Sequence, residues 1–345
     1  MGTKVLLVKA EINHRFCFTA VYMILAGDIG GTHTRLALFE KGELRREHAY
    51  PSRSYSGLQE IVYEYLQQEG VKIDVASFGI AGPVRNGVCK ATNLPWQVDA
   101  HQLGEALKIP SVHLLNDLEA NAYGVLALKP KDLFPLQHGN PGQTGNRALI
   151  AAGTGLGEAG LYWNGKRYYP FASEGGHSDF APRNQTEVDL FFYLQKRFGH
   201  VSFERVVSGP GLYALYQFLL DTGRETVSGR VAQEMSHTDP STVVSKWGAK
   251  KLDPACARAL DWFLSLYGSE AGNLALKLLP FGGLYIGGGI APHLIESFQR
   301  GDFLHAFRDK GRFDGLLETI PIWIIMNDHA ALLGAGVYAE HRNES

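Results

Sequence analysis

The chain has 345 residues, 45% of them hydrophobic, enough for two domains with a buried core each, which excludes a small scaffold held together by staples. Its 33 lysines and arginines against 35 aspartates and glutamates leave a net charge of -2, so no basic field invites nucleic acid or an anionic membrane, and a small or neutral partner fits better. The cysteines Cys17, Cys89 and Cys256 are odd in number and far apart, which excludes a disulfide framework or a CxxC metal knuckle and fits a reducing cytoplasm, while the 40 glycines fall in clusters, as they do where a ligand touches backbone.

Lys4, Lys9 and Arg15 precede the apolar run Phe16 to Gly27, which has the length of a signal-peptide core but falls short of the roughly 20 residues that span a bilayer. Cleavage behind it would land on Gly27-Asp-Ile-Gly-Gly-Thr32, so the run reads as an irregular tail leading into a first buried strand. Residues 1–22 are then an appendage, and the domain begins near Met23. Strands are expected at Ile24–Gly27, Arg35–Phe39 and near Glu47–Tyr50, in hairpin spacing. Ser56 is expected to cap a helix through Leu58, Ile61, Val62, Tyr65 and Leu66 that Gly70 stops. A buried strand follows at Val75–Ile80, then a helix begun by Asp99 and ended before Pro110, then a short strand, Val112–Leu115, running into Asn116-Asp117. The segment Lys129–Asn146, rich in Pro, Gly, Gln and Lys, reads as a linker. Beyond it come a strand at Ala148–Ala152 and helices over Glu187–Phe198, Gly211–Thr222 and within Asp253–Leu279. A strand, Leu284–Ile286, runs into Gly287-Gly-Gly289, and a last strand, Pro321–Met326, leads to a helix over Ala330–Ala339. Strands alternating with helices make this an α/β protein.

One pattern occurs twice. Leu25 to Phe39 and Ile150 to Tyr162 both read strand, Gly/Thr turn, strand, so each block offers one glycine hairpin, an arrangement suited to a nucleotide held in a cleft between two halves. Two familiar motifs nearly match and fail on context. Gly155-Leu-Gly-Glu-Ala-Gly160 satisfies G-x-G-x-x-G, but an aromatic hairpin turning at Asn164-Gly165 follows it where a dinucleotide site needs a helix. Gly160 to Arg167 lacks the Ser/Thr of a P-loop. What remains is phosphate held by backbone N–H groups of glycine turns. Gly30 and Gly31 permit such a turn and Thr32 adds a hydroxyl; Asp28 beside a phosphate makes sense if it faces Mg²⁺, directly or through water. Gly153-Thr154-Gly155 would serve similarly, and Gly287-Gly288-Gly289 would let a flat base approach backbone.

A second set of polar residues suits a polyol: Thr92-Asn93, Asn116-Asp117, Glu174-Gly-Gly-His177 and Glu204. Singly, Glu204 reads as well as a helix cap, and His177 as a satisfied core histidine. In order along the chain, Gly27-Asp-Ile-Gly-Gly-Thr32, Thr92-Asn93, Leu115-Asn-Asp117, Gly153-Thr-Gly-Leu-Gly157, Glu174-Gly-Gly-His-Ser-Asp-Phe180, Glu204-Arg-Val-Val-Ser-Gly-Pro-Gly211 and Gly287-Gly-Gly-Ile-Ala-Pro292 together resemble the bacterial ATP-dependent glucokinases, from about Ile24 onward.

The resemblance implies a two-domain, actin-like, ribonuclease-H-type α/β fold with the active site in the cleft between domains. It implies a small domain of residues 23–128 plus 327–345 and a large one of 129–326. It also implies that Asn116, Glu174, His177 and Glu204 bind sugar hydroxyls, that Asn93 lies near the sugar, and that Asp117 is the base on the 6-hydroxyl of glucose. Asp28, Gly30, Gly31, Thr32, Thr154 and Gly155 would serve the phosphates of ATP and its Mg²⁺, with Asp28 the metal-side carboxylate, and Gly288 and Gly289 the adenosine. A cytoplasmic homodimer with no nucleic-acid or membrane partner is expected. Residues 1–22 lie outside the pattern, His33-Thr34 replaces the more usual Asn-Ala, and neither the cysteine-rich zinc motif nor the helix-turn-helix block of the neighbouring repressor group is present. The competing readings are a related kinase with another hexose or phosphoryl donor, a non-catalytic kinase-like sugar sensor, and an actin-like or chaperone-like ATPase.

Overall fold

The computed structural model describes residues 22–140 and 142–343; residues 1–21, all but the last of the proposed appendage and the first half of the apolar run, lie outside the described residues. Strands β1 (Met23–Ile29), β2 (His33–Glu40) and β3 (Glu43–Pro51) form an antiparallel meander. Helix α1 (Leu58–Glu69) crosses to β4 (Val75–Ile80), which lies parallel to β1. Gly57, not Ser56, occupies the cap position of α1; Ser56 instead donates both its N–H and its hydroxyl to Glu60. Three short strands, β5 (Val84–Arg85), β6 (Val88–Lys90) and β7 (Gln97–Asp99), make a separate ribbon, and α2 (Ala100–Leu107), capped by Asp99, leads to β8 (Ser111–Asn116), parallel to β4. Helix α3 (Asp117–Gly124) follows with no intervening residue.

The expected linker holds a strand, β9 (Leu133–Gln137), which pairs at the edge of the second sheet. Its proline stands in an edge strand, where a missing N–H is tolerated, so a composition typical of loops conceals it. Next come the meander β10 (Arg147–Ala152), β11 (Leu156–Trp163) and β12 (Tyr168–Ser173). The helical block comprises α4 (Gln185–Phe198), α5 (Gly209–Asp221), α6 (Gly229–Met235), α7 (Pro240–Ala249) and α8 (Pro254–Leu278). Then follow β13 (Leu284–Gly287), α9 (Ile295–Phe298), α10 (Asp302–Arg308), α11 (Asp314–Glu318), β14 (Ile322–Ile325) and α12 (Ala330–Asn343).

The sheet orders are β3-β2-β1-β4-β8 and β12-β11-β10-β13-β14-β9. Setting β9 aside, both follow one plan: a three-stranded antiparallel meander whose first strand continues into two parallel neighbours. The repeated glycine hairpin in the sequence is the visible part of this duplication, and the result is the two-lobed actin-like arrangement expected. In the first lobe, Leu25, Leu36 and Phe78 pack against Ile61, Val62 and Tyr65 of α1 on one face, while Ile24, Ala26 and Phe39 meet Leu332, Ala335 and Ala339 of α12 on the other. The second sheet buries Ile150, Ile286 and Ile324 against α5, α7 and α8. Its opposite face, through Leu149, Ala159 and Tyr285, packs on Ala122 and Val125 at the end of α3 and on Ala330 of α12. Helices α3 and α12 thus lie between the two sheets, so close that a methyl on Gly334 would stand under 3.0 Å from the carbonyl oxygen of Ala120, and one on Gly124 equally close to that of Ala330.

Candidate active site

In an open α/β sheet, ligands gather beyond the carboxyl ends of parallel strands. Here β1 ends at the Asp28–Thr32 turn, β8 at Asn116-Asp117, β10 at Gly153-Thr154-Gly155, and β13 at Gly287-Gly288-Gly289. The charge of Asp117 reaches both Asp28 and Glu174, so loops of both sheets come near one another here.

The first turn is held from outside. The Gly30 N–H donates to the His33 carbonyl at 3.0 Å and the Ser52 N–H to that of Thr32 at 2.9 Å, while the Ser52 hydroxyl donates to the Gly30 carbonyl at 2.7 Å. Thr32 stays exposed and Gly31 half-buried, and Asn93 packs on Gly31, where an added methyl would come within 2.9 Å of its Cβ. The Asp28 carboxyl lies deep in the cleft with part of its surface open; burial foremost pushes it up to about 6, with the charge of Asp117 adding and Arg35 opposing. Arg35 in turn donates to the Asp328 carbonyl at 2.9 Å and to its carboxylate at 2.8 Å, tying the hairpin to the segment after β14. His329 reaches Glu47 on β3 at 3.0 Å. Ser52, Arg35, Asp328 and His329 escaped the sequence reading. Asn327-Asp328 follows β14 as Asn116-Asp117 follows β8, a repetition in which the second pair carried a readable signal.

Asn116 caps α3: its Oδ1 accepts the Leu118 N–H at 2.9 Å and its Nδ2 donates to the Gly82 carbonyl at 3.2 Å. Its side chain also bonds the Asp117 carboxylate beside it. Asp117 occupies the first turn of α3, and one carboxylate oxygen accepts the Leu118 N–H at 3.0 Å. Burial raises its pKa, the Leu118 N–H works against that, and the charge of Glu174 adds to the rise. Asp28, Asp117 and Glu174 therefore share one electrostatic neighbourhood assembled from both lobes.

Glu174 and His177 bracket a tight 3-10 turn and are both exposed. Glu204 accepts the Leu156 N–H at 3.1 Å, and its Oε2 lies 3.9 Å from the His177 Nε2. The same oxygen stands over Gly155, where an added methyl would come within 2.6 Å, so the sugar-side and phosphate-side candidates touch. Thr154 is exposed at the tip of its hairpin, and the Gly209 N–H at the start of α5 anchors the Gly153 carbonyl at 2.8 Å. Gly288 has φ +83° and lies against the end of β10, a place a side chain could not enter; Gly289 beside it is open. The structure brings Asp28, Asp117 and Glu174 within reach of one another's charge, sets Asn93 on Gly31 and Glu204 beside His177 and Gly155, and lays Gly288 against Ala152 at the end of β10.

Among the described residues no group of three or more His, Cys, Asp or Glu side chains forms a ready metal cage. Mg²⁺ held by one or two carboxylates plus substrate phosphates needs no such cage, and Asp28, a half-buried carboxylate repelled by Asp117 and set beside a glycine turn, fits that donor set.

A model of the glucokinase family matches residues 25–342. The chain is 42% identical over 336 residues to the glucokinase of Nostoc punctiforme, spanning 92% of this chain and 98% of that one. The crystal structure of a glucokinase from an Antarctic psychrotroph superposes with TM-score 0.81 at 29% identity, over 92% of this chain and 99% of the other. A ROK family glucokinase from Streptomyces griseus, in complex with glucose and AMPPNP, shares the fold at TM-score 0.62 and 19% identity, over 92% and 99% of the two chains.

Proposed function

The chain belongs to the glucokinase family and is an enzyme of glucokinase type, and from that premise we propose that it transfers the γ-phosphoryl group of ATP to the 6-hydroxyl of glucose with Asp117 as the base. The observation that carries this is Asp117 itself: half-buried, placed on the first turn of α3, held by the Leu118 N–H and the Asn116 side chain, with Glu174 of the other lobe close enough to raise its pKa. Phosphoryl transfer asks for positioning and charge neutralisation more than for covalent chemistry. Asp117 takes the 6-hydroxyl proton as that oxygen attacks the γ-phosphorus and the bond to the ADP oxygen breaks. Glu174, His177, Glu204, Asn93 and the Asn116 side chain hold the remaining hydroxyls, and a sugar lacking one of them leaves a polar group unpaired. Gly30, Gly31, Thr32, Thr154 and Gly155 turn N–H and hydroxyl donors to the phosphates, and Gly288 and Gly289 leave room for the adenosine. Mg²⁺, when bound beside Asp28, supplies charge neutralisation at the triphosphate.

Residues 23–128 with 327–345 serve as the small domain and 129–326 as the large, closing over sugar and nucleotide to exclude water. A cytoplasmic setting is supported by Cys89 and Cys256, both buried and unpaired, and among the described residues no helix is long and apolar enough to cross a membrane. The family resemblance supports a homodimer, which light scattering on the purified protein tests. For the activity, the protein is mixed with Mg-ATP and glucose, mannose, fructose, glucosamine or N-acetylglucosamine, and ADP is followed against a blank without sugar. Turnover that prefers glucose is expected; ADP release indifferent to sugar would overturn the reading in favour of an ATPase.

A further inference from the structure

We propose that Glu158 is a positioning residue for the sugar: a proton shared between Glu158 and Glu270 supports the Glu174–His177 turn from below, and losing that proton loosens glucose binding while leaving the ATP side alone. The inference rests on the glucose reading above and names a control on its sugar subsite.

Glu158 sits on β11 between Ile150 of β10 and Ser173 of β12, and Glu270 sits on α8 beneath the sheet. Their side chains are 1% and 0% exposed, a rare place for two carboxyls. Oε1 of each is buried without a hydrogen-bond donor, and one proton between the two groups satisfies both. Glu270 is the member that carries the charge. Its Oε2 accepts from Asn273 at 2.8 Å, and Lys277 lies 3.9 Å from its Oε1. Lys310, beyond α10, donates to Ser269 at 3.3 Å and adds positive potential near Glu270, with Arg183 behind it. The Tyr267 hydroxyl, whose own pKa Glu158 helps to raise, completes the charged and titratable groups around the pair. Glu158 is therefore the protonated partner. Burial first and Glu270 second push its carboxyl up to about 8.

The connection to the sugar is steric. Glu158 Oε2 lies directly under Gly175, where an added Cβ would stand less than 3.0 Å away, and Gly176 is as tight against the Leu156 carbonyl. The turn above is a closed unit: Gly175 N–H donates to the Ser173 hydroxyl at 2.9 Å, His177 N–H to the Glu174 carbonyl at 3.0 Å, and Ser178 N–H to the Gly175 carbonyl at 2.9 Å. When the shared proton leaves, two buried carboxylates repel, and the Glu158 Oε2 that abuts Gly175 is pressed against the turn. The turn then moves as one piece, taking Glu174 and His177 with it.

The test is the KM for glucose and the KM for ATP between pH 6.5 and 9.5 in wild type, Glu158→Ala, Glu158→Gln and Glu270→Gln. In wild type the KM for glucose is expected to rise about tenfold across the upper half of this range while the KM for ATP changes less than about twofold, the pattern of lost ground-state binding. Glu158→Ala should carry the raised KM at every pH. Glu158→Gln, which keeps the shape and cannot ionise, should restore the low KM and flatten its pH profile. Glu270→Gln leaves no second carboxylate to repel Glu158, so the KM for glucose should stay low and its rise with pH should disappear; this arm decides the matter if Glu158→Gln does not fold. A flat wild-type profile, or a profile unchanged in Glu158→Gln or in Glu270→Gln, would overturn the inference with the kinase reading intact. Absence of glucose-dependent turnover in wild type at neutral pH would instead overturn the reading on which it rests.

Discussion

Gly334→Ala separates two opposing effects on a single helix. By intrinsic propensity, alanine in a helix interior is worth about 1 kcal/mol over glycine, so the substitution should stabilise α12. The structure says otherwise. The new methyl would fall well under 3.0 Å from the Ala120 carbonyl oxygen and also close on the Gly124 N–H, both backbone of α3. Backbone cannot rotate aside, so the helices must part until ordinary contact is restored. Overpacking of this kind costs about 1–3 kcal/mol and occasionally more, which exceeds the propensity gain. Because Asp117 begins α3, the same displacement carries the base away from Asp28, and a shift of about 1 Å in a reacting group can cost ~10²-fold in rate. Gly336→Ala is the matched control, since its methyl would meet only the Phe39 ring at 3.3 Å, a side chain that can yield. Urea unfolding by tryptophan fluorescence and kcat for glucose phosphorylation are measured on both variants. Gly334→Ala should lose stability and turnover together, with Gly336→Ala near wild type. Equal stability of the two variants, or wild-type kcat in Gly334→Ala, would refute the argument.

Asp117→Asn is expected to lower kcat by at least ~10²-fold, the usual cost of removing a general base, while titration calorimetry should show glucose still binding. Ser52→Ala leaves the Gly30 carbonyl and the Thr34 hydroxyl, both of which it bonds, without their partner. The KM for ATP should then rise by an amount corresponding to about 1–3 kcal/mol, with the KM for glucose little changed. Asp28, raised from 3.8 to about 6, contributes stability that is fully present below 3.8 and lost as pH rises through 6. Mg-ATP, which favours the carboxylate, should show the opposite trend, its KM falling across that interval. In Asp28→Asn both slopes should disappear from stability curves and KM profiles taken between pH 4 and 7.

The elements around the site were legible because each turn residue there interrupts a regular pattern. Asn116-Asp117 ends an apolar strand, and the glycine turns at Gly30 and Gly155 separate alternating runs. The short ribbon of β5, β6 and β7 and the helix α3 were not, since strands of two or three residues have no period to detect and α3 carries a nearly uniform Ala/Leu/Tyr face. The proline in β9 reads as a breaker until its partner strand, nearly two hundred residues later, is known. Roles such as those of Ser52, Arg35 and Glu158 depend on long-range neighbours: Asp328 lies 293 positions from Arg35. No local window contains both members of such a pair, whereas the motif loops carry their meaning within five or six residues.

The placement of α12 also sets an order of events during synthesis. Roughly 200 residues separate Gly124 from Ala330, so at ~5–20 residues per second the ribosome takes about 10–40 s to supply the helix that covers Ile24, Ala26 and Phe39. Until then the first sheet has a bare apolar face, and the helix bearing Asp117 lacks its main packing partner. The first lobe is made first but completed last. A nascent chain of this design is catalytically silent however early its glycine hairpins form, and its earliest-made sheet is the surface that a chaperone would need to shield.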